Sequence, residues 1–354
     1  MIYPILIFIL FLASHYFAGY LLYNSFLLFN QKKYLAYLIP SSITLLFAVM
    51  LIAINYTNSQ IFNYLYILSA VLFGLLTQLI LFGIIFFLFK YTLPKQKYLA
   101  KIFFIIATLF FFLGLYNAFF PYVKTIDLDN FRNGEASMRL IHLSDTHLGL
   151  IYQPYYLENL VKKVNNLDAD IIVISGDLFD GNDSDLNKFS VALEKFSLPV
   201  IFVPGNHDQY LEVENISRVV NQAGLIELKD EAYSFKDFEF IGFNYIEDYN
   251  SNLRRDIKNI EAEKSKSRIV INHEPIGLEE AEALKADLMI SGHTHRGQIF
   301  PFNLVTYVVY GKHYYGLSQY KDMITYTSAG VGTWGPPFRT LFPGEIIVFN
   351  INNN

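Results

Sequence analysis

The sequence predicts an α/β domain of layered sheets and helices that follows an all-α transmembrane bundle. One observation behind this is the distribution of charge. The first 123 residues contain six lysines and no Asp, Glu or Arg, so they carry +6, and the net charge of −5 for the whole chain leaves −11 for the remainder. The other is the alternation of apolar β-type runs with amphipathic helical patterns after residue 138. An apolar, weakly basic half therefore precedes an acidic, soluble half.

Four apolar runs in the first half are each near or above the roughly 20 residues that a helix needs to cross a bilayer. They are Ile5–Phe29, Leu35–Ile54, Ile61–Phe89 and Ile102–Phe120. Such runs leave no polar face for water, which disfavours the buried helices of a soluble protein. A cleavable signal peptide is disfavoured for the first run, because it lacks a basic start and its apolar stretch is too long. We therefore predict a transmembrane domain of four helices over residues 1–123.

The lysines of this half indicate an orientation in an inner or plasma membrane. They lie in the first and third gaps between the apolar runs, and the second gap has none. The positive-inside rule then places those two gaps in the cytoplasm and the soluble half outside it. If one run fails to span, the soluble half faces the cytoplasm instead, and Leu35–Ile54, which contains Pro40, is the weakest of the four. The extracytoplasmic side is our expectation and the cytoplasmic side the alternative.

The soluble half begins with a predicted polar linker over residues 124–138, and residues 139–354 form the predicted catalytic domain. Its strand-like runs are Arg139–Leu143, Asp170–Ser175, Val200–Val203, Glu239–Phe243, Arg268–Asn272, Leu288–Ser291, Met323–Thr327 and Glu345–Asn350. Apolar residues at helical spacing between them predict helices around Leu157–Leu167, Leu186–Phe196 and Val213–Val220. An acidic domain disfavours nucleic acid as the main partner. Since the chain has no Cys, any metal must be held by nitrogen and oxygen ligands.

Five polar segments carry residue types that bind divalent cations. They are Asp145-Thr146-His147, Gly176-Asp177, Gly205-Asn206-His207-Asp208, His273 and Gly292-His293-Thr294-His295. Each follows the carboxyl end of a predicted strand, where open α/β sheets bind ligands. In an extended or loop conformation, residues i and i+2 point the same way, so Asp145 and His147 can reach one cation, and His293 and His295 repeat the pattern. Asp177 can bridge two cations, which is the arrangement that splits phosphate esters.

These segments resemble the calcineurin-like metallophosphoesterase superfamily, whose pattern is D-x-H, G-D, G-N-H-[DE], a lone H and G-H-x-H. The match extends from about Arg139 to Asn350, and its tail resembles a bacterial membrane-associated subgroup. The resemblance implies two facing mixed β-sheets flanked by helices, a four-layer α/β/β/α sandwich. It also implies a first metal on Asp145, His147 and His295, a second on Asn206, His273 and His293, and Asp177 as the bridge.

The resemblance further implies that His207 lies beside the leaving group as a catalytic residue, with Asp208 nearby to orient it. As an imidazolium, His207 would protonate the leaving oxygen. The ligand set fits two divalent cations of Mn²⁺, Fe or Zn²⁺ without selecting among them. Arg296, His313 and Arg339 are weaker candidates for substrate contacts.

The sequence therefore predicts a membrane-anchored phosphoesterase with two metal ions that hydrolyses a phosphate mono- or diester. The substrate expected from the anchor is a lipid or an envelope-associated molecule. The alternatives are a cytoplasm-facing hydrolase of the UDP-diacylglucosamine pyrophosphatase type and a non-catalytic, membrane-bound module that binds a partner.

Overall fold

A computed structural model describes residues 16–25, 33–53, 59–90, 96–129, 137–181, 185–210, 213–245 and 266–352, together with residues 56, 92 and 260. The chain divides into two compact units. The helical unit comprises Met1–Tyr116 and Gly335–Thr340, and the sheet unit comprises Asn117–Trp334 and Leu341–Asn354.

The helical unit is built from long apolar helices. The described part of α1 covers residues 16–25, and α2 (Lys33–Ala53), α3 (Gln60–Phe89) and α4 (Gln96–Phe119) follow. The last three are long and apolar enough to cross a membrane, and only 22–33% of each apolar window is buried inside the protein. The rest of their apolar surface therefore faces outwards, as lipid-facing helices require. Three of the four predicted runs are thus confirmed as apolar helices, and most of Ile5–Phe29 lies outside the described residues.

A short segment from late in the chain belongs to the helical unit. Within Gly335–Thr340, the Phe338 ring stacks on Phe111 with 5.8 Å between the ring centroids. The Arg339 backbone N–H donates to the Gly114 carbonyl at 3.0 Å, and the Arg339 side chain is fully buried. This segment lies within the range 139–354 expected for the catalytic domain, and that domain division stays a prediction. The role of Arg339 in substrate binding likewise stays a prediction.

The sheet unit contains two six-stranded mixed sheets. Their strands are β1 (Tyr122–Asp129), β2 (Met138–Leu143), β3 (Ile171–Ser175), β4 (Val200–Val203), β5 (Ile226–Glu227), β6 (Glu231–Phe235), β7 (Phe238–Gly242), β8 (Ser267–Ile271), β9 (Leu288–Ser291), β10 (Gly316–Tyr320), β11 (Met323–Thr327) and β12 (Glu345–Asn352). The strand orders are β1-β12-β2-β3-β4-β5 and β10-β11-β9-β8-β7-β6. Strands β2 to β5 run parallel to one another, as do β7, β8, β9 and β11. Parallel neighbours bring their carboxyl ends to one edge of each sheet.

Helices cover the outer faces of both sheets. They are α5 (Pro154–Asn165), α6 (Asn187–Leu193), α8 (Val213–Gln222) and α9 (Leu278–Ala283), while the short α7 (Asn206–Gln209) and the helix α10 (Phe302–Tyr310) lie in loops. One apolar core joins the first sheet to α5, α6 and α8, and another joins the second sheet to α9. A third core, with Val173 and Ile201 from one sheet and Phe240 and Ile269 from the other, fills the space between the sheets. The predicted four-layer α/β/β/α sandwich is therefore confirmed.

All eight predicted strands are present, and their ends differ from the prediction by at most two residues. The linker prediction for residues 124–138 is wrong in its first half. Strand β1 occupies Tyr122–Asp129 and pairs in parallel with β12 along its whole length. Polar side chains such as Asp127 and Asp129 gave this stretch the composition of a linker. As an edge strand, β1 pairs with a neighbour on one side only, so its polar side chains can remain in water.

Candidate metal centre

Five loops place their polar residues at the carboxyl ends of five strands from both sheets. Asp145 follows β2 by two residues, Asp177 follows β3 by two, and Asn206 follows β4 by three. His273 and His293 follow β8 and β9 by two residues each. The order of the strands makes β2, β3 and β4 neighbours in one sheet and β8 and β9 neighbours in the other. Residues far apart in sequence therefore meet at one edge of the sandwich.

The first group of potential ligands consists of Asp145, His147 and His295, all of which are buried. The Nε2 atoms of His147 and His295 are 3.1 Å apart. The Asp145 Oδ1 atom lies 3.3 Å from His295 Nε2. Two imidazole nitrogens and a carboxylate oxygen thus converge on one point, as the ligands of a cation do.

The second group consists of Asn206, His273 and His293. The Asn206 Oδ1 atom lies 3.1 Å from His273 Nε2 and 3.0 Å from His293 Nδ1. These two ring nitrogens are 3.2 Å apart. This group therefore also gathers two imidazole nitrogens and one oxygen around one point.

The carboxylate of Asp177 lies between the two groups. Its Oδ2 atom is 3.2 Å from His273 Nε2 in the second group and 3.6 Å from His147 Nε2 in the first. Its Oδ1 atom accepts a hydrogen bond of 2.8 Å from the His207 backbone N–H. One oxygen is thus fixed by the backbone, and the other faces both groups.

Acceptors on the far side of two rings set which nitrogen carries the proton. The Nδ1 atom of His147 lies 3.0 Å from the Asp180 carboxylate, and that of His273 lies 2.8 Å from the Ser175 carbonyl oxygen. Because a carboxylate and a carbonyl can only accept, each Nδ1 carries a hydrogen, and Nε2 is the nitrogen that can offer a lone pair to a cation.

In His293 the roles of the two ring nitrogens are exchanged. Its Nε2 atom lies 2.9 Å from the buried Glu274 carboxylate, so the lone pair sits on Nδ1, the atom that faces Asn206. Sequence reasoning missed Glu274 and Asp180. The available signals were their positions, since Glu274 directly follows His273 and Asp180 comes three residues after Asp177.

The donor set fits a pair of divalent cations. Neutral imidazole nitrogens, carboxylate oxygens and an amide oxygen suit Mn²⁺, Fe or Zn²⁺. Lone pairs as close as 3.1 Å in the first group and 3.2 Å in the second repel one another unless a proton or a cation lies among them. The ligand residues present therefore match the metal dependence of the family that the sequence resembles.

The backbone at the centre is held in an unfavourable conformation. Among the described residues other than glycine, twelve have positive φ, and five of these are Asp145, His147, Asp177, His293 and His295. The left-handed region costs an L-residue roughly 1–2 kcal/mol, and such residues cluster at functional sites. This finding limits the argument that residues i and i+2 point the same way. Asp145 and His147 still reach the same group, but His293 and His295 point into different ones.

Two glycines allow the loops to approach this closely. A Cβ atom on Gly292 would overlap the Ser144 hydroxyl and the Asp145 carboxylate. A Cβ atom on Gly205 would overlap Asp177. Any larger residue at either position would displace one of the carboxylates.

The carboxylates and imidazoles strongly perturb one another. Burial opposes a charge on His273, but the neighbouring Asp177 and Asp145 carboxylates outweigh it and raise its pKa to about 9. Burial likewise opposes a charge on His147, and there the Asp180 hydrogen bond and the Asp177 charge outweigh it and raise the pKa. Burial favours the neutral form of Asp177, but the charges of His273 and His147 lower its pKa. The site thus concentrates negative charge that positive charge must balance.

His207 lies beside the first group, but its surroundings differ from the expectation. Its Nδ1–H donates to the Asp180 carbonyl oxygen at 3.0 Å, and its ring packs edge-on against His147. Burial and the charge of His147 lower the pKa of His207, which favours the neutral ring rather than the expected imidazolium. Asp208 does not orient this ring. Its carboxylate accepts hydrogen bonds from the backbone N–H groups of Gly205 at 2.8 Å and Phe179 at 2.9 Å.

The two remaining substrate-contact candidates have other partners. The Arg296 guanidinium lies between the rings of Tyr315, at 4.0 Å, and Phe342, at 3.6 Å. The Nδ1 atom of His313 lies 2.9 Å from the Thr325 hydroxyl. Neither side chain contacts either ligand group in the part of the chain that the structure describes, so their roles in substrate binding stay predictions.

Comparisons with known proteins agree with this geometry. A family model described as calcineurin-like phosphoesterase matches residues 138–297. A Helicobacter pylori (strain J99) protein described as an uncharacterized metallophosphoesterase is 30% identical over 288 residues, which cover 75% of this chain and 76% of the relative.

Similarity also extends to eukaryotic proteins that span membranes. A Danio rerio protein described as a transmembrane protein with metallophosphoesterase domain is 29% identical, with 66% of this chain and 58% of the relative covered. A solved structure of an archaeal phosphodiesterase matches with a TM-score of 0.34 and 16% identity, covering 55% of this chain and 85% of its own.

Proposed function

Because this chain belongs to the calcineurin-like phosphoesterase family, we propose that it is a membrane-bound enzyme that hydrolyses phosphate esters with two divalent cations. The observation that carries this proposal is the placement of an acceptor behind each of three histidine rings. His147, His273 and His293 each have one ring nitrogen on an acceptor and the other aimed into a ligand group. Histidines that serve only to stabilise a core have no need to direct lone pairs at one another.

The two ligand groups define which residues hold each ion. Asp145, His147 and His295 would hold the first, and Asn206, His273 and His293 would hold the second. The Asp177 Oδ2 atom, which faces both groups, would be shared. When bound, the cations supply positive charge that polarises a phosphoryl group and acidifies a water molecule. Mn²⁺, Fe and Zn²⁺ all suit these ligands.

The protein's own residues hold the ligands and handle protons. The two oxygens of Asp177 are divided between the His207 backbone N–H and the ligand groups, so the carboxylate cannot rotate away. The His207 ring keeps its proton on Nδ1, against the Asp180 carbonyl, and this leaves Nε2 to exchange a proton with a leaving oxygen. Because the ring is neutral, Nε2 would first accept a proton from the attacking water and would then pass that proton to the leaving oxygen.

The membrane helices favour a substrate that is in or near the bilayer. A tethered enzyme gains little for a freely diffusing ester, whereas a lipid phosphate or an envelope-associated ester is concentrated at its own surface. An extracytoplasmic site would meet lipid head groups or envelope polymers. The complete set of ligands speaks against a non-catalytic module.

The proposal is tested by measuring hydrolysis with the full chain in vesicles. The chain would be stripped of metal, supplied in turn with Mn²⁺, Fe²⁺ or Zn²⁺, and offered generic phosphate mono- and diesters and then phospholipids. We expect turnover with at least one ion and none in the Asp177→Asn variant. The absence of turnover with every ion, in a protein shown to bind metal, would overturn the enzymatic assignment.

A further inference from the structure

Helix α10 of the sheet unit has its apolar side facing outwards. Its three partly exposed residues, Asn303, Thr306 and Tyr310, share the face that packs on the rest of the unit. The large apolar side chains cover the remaining sides of the helix and are all more than half exposed, namely Phe302, Leu304, Val305, Tyr307, Val308 and Val309. In a helix at a water-facing surface the apolar stripe faces the core. The reversed arrangement indicates a non-aqueous environment outside α10.

The size of this surface exceeds that of scattered apolar residues. Val308 alone is 82% exposed, and none of the nine residues of α10 is buried. Six adjacent side chains of this kind amount to an apolar patch on the order of 500 Å², which is the size of the largest, often functional, patch on a soluble monomer. Lys312, just beyond the helix, is also exposed. Exposed aromatic, apolar and lysine side chains together are typical of segments that lie in a membrane interface.

The sole tryptophan of the chain is exposed and is held by the segment that leads into α10. Trp334 is 57% exposed, and its backbone N–H and carbonyl are both hydrogen-bonded by the Gln298 side chain, at 3.2 and 3.1 Å. Gln298 directly precedes the loop that leads into α10. The residue after Trp334 begins Gly335–Thr340, which belongs to the helical unit. The chain thus passes between the two units before β1 and again directly after Trp334.

Helix α10 also adjoins the metal centre. The ring of Tyr310, on its packed face, lies edge-on to His293 with 6.1 Å between the ring centroids. The Thr294 hydroxyl donates to the carbonyl oxygen of Tyr314, at the end of the turn after the helix, at 2.7 Å. A surface that holds lipid along α10 would therefore hold it beside the second ligand group.

We propose that α10 and Trp334 lie in the interface of the bilayer that the chain itself spans, and that they present membrane-embedded esters to the metal centre. The occupant of the apolar face is then the boundary between lipid head groups and acyl chains. This inference extends the proposed function by assigning a lipid substrate class, and its substrate part rests on that function. The position of α10 can be tested without any activity.

The first experiment measures the depth of α10 by spin labelling. Because the chain has no cysteine, Val308→Cys gives a single labelling site, and Val191→Cys on α6, where Val191 is 60% exposed, gives a matched control. Both labelled full chains would be reconstituted in vesicles of phosphatidylcholine and phosphatidylglycerol. We expect the label at 308 to have a several-fold higher ratio of oxygen collisions to nickel-chelate collisions than the label at 191.

Two other outcomes would overturn the proposal. Equal, water-like collision ratios at both positions would place α10 in solvent. Shielding of the label at 308 from both collision agents would instead indicate contact with protein, such as a second copy of the chain.

The second experiment separates the surface from the chemistry. Val308→Asp should reduce hydrolysis of a phospholipid in the vesicle about tenfold, because an aspartate opposes insertion of the helix. It should leave hydrolysis of bis(p-nitrophenyl) phosphate, a water-soluble ester, unchanged, and Val191→Asp should change neither rate. Equal loss on both esters would contradict a role in presenting lipid. If no ester is hydrolysed at all, the proposed function fails, while the spin-label result still decides where α10 lies.

Discussion

Replacing Glu274 by alanine should weaken the binding of one metal ion and leave the binding of the other unchanged. Glu274 is buried and accepts a hydrogen bond from His293 Nε2 at 2.9 Å, which keeps the His293 lone pair on Nδ1. Without that acceptor the ring can rotate or change tautomer, and the second ligand group loses a defined nitrogen. Removing such a partner costs about 10- to 100-fold in metal affinity, or about 1.4–2.7 kcal/mol. Glu274 acts on the second ligand group through His293, so the first group should keep its affinity.

The measurement is metal content at a series of buffered free Mn²⁺ or Zn²⁺ concentrations. The Glu274→Ala chain should pass through a plateau at one ion before it reaches two. Asp180→Ala should give the same plateau through the other group, because Asp180 holds Nδ1 of His147 at 3.0 Å. The two variants together should then lower the affinity of both ions.

A matched control comes from a second buried glutamate. Glu239 on β7 is 3% exposed and has the Ser234 hydroxyl as a partner at 3.4 Å. Glu239→Ala should leave both metal affinities unchanged. If Glu274→Ala binds two ions as tightly as the original chain, or weakens both equally, the tautomer argument is refuted.

Three further predictions concern the bridge, a glycine and a buried histidine. Asp177→Asn should lower the affinity for both ions by more than the roughly 100-fold upper limit for a lost histidine partner, as measured by the same metal titration. Gly292→Ala should abolish binding of the first ion, because the added Cβ overlaps Ser144. Gly224→Ala is the control: its Cβ meets open space, but its φ of +77° should cost roughly 1–2 kcal/mol of stability, and the chain should keep both ions. His142 is fully buried, which lowers its pKa to about 3, so the unfolded chain binds more protons than the folded one between that pH and 6.5. The free energy of unfolding should therefore fall as the pH drops through this window, by at most about 1.4 kcal/mol per pH unit. Thermal unfolding of the metal-loaded His142→Gln chain should show a weaker dependence of stability on pH. An unchanged dependence would contradict the assignment.

The sequence was most informative where periodicity and local motifs determine structure. Runs such as Ile171–Ser175 and Leu288–Ser291 are apolar enough to be buried on both faces, and their ends correctly located the polar loops. That the loops meet follows from a general property of parallel sheets. The division of the ligands into two groups came only from the family resemblance, because His293 and His295 have positive φ, which an i, i+2 argument does not anticipate.

Other features depend on tertiary context and could not be predicted. Asp180 and Glu274 are ordinary acidic residues until the fold places each against a histidine ring. Helix α10 was overlooked because its residues, read alone, resemble a core strand or helix, and only its exposure distinguishes it. The membership of Gly335–Thr340 in the helical unit depends on contacts with residues more than 200 positions earlier, such as Phe111.

The most direct test of the account is the number and position of metal ions in the purified chain. Anomalous diffraction from crystals of the fully metal-supplemented protein should show two peaks per chain, one within each ligand group, on either side of the Asp177 carboxylate. A single peak at full supplementation, or peaks away from these seven side chains, would contradict the claim that the five loops form one two-metal centre.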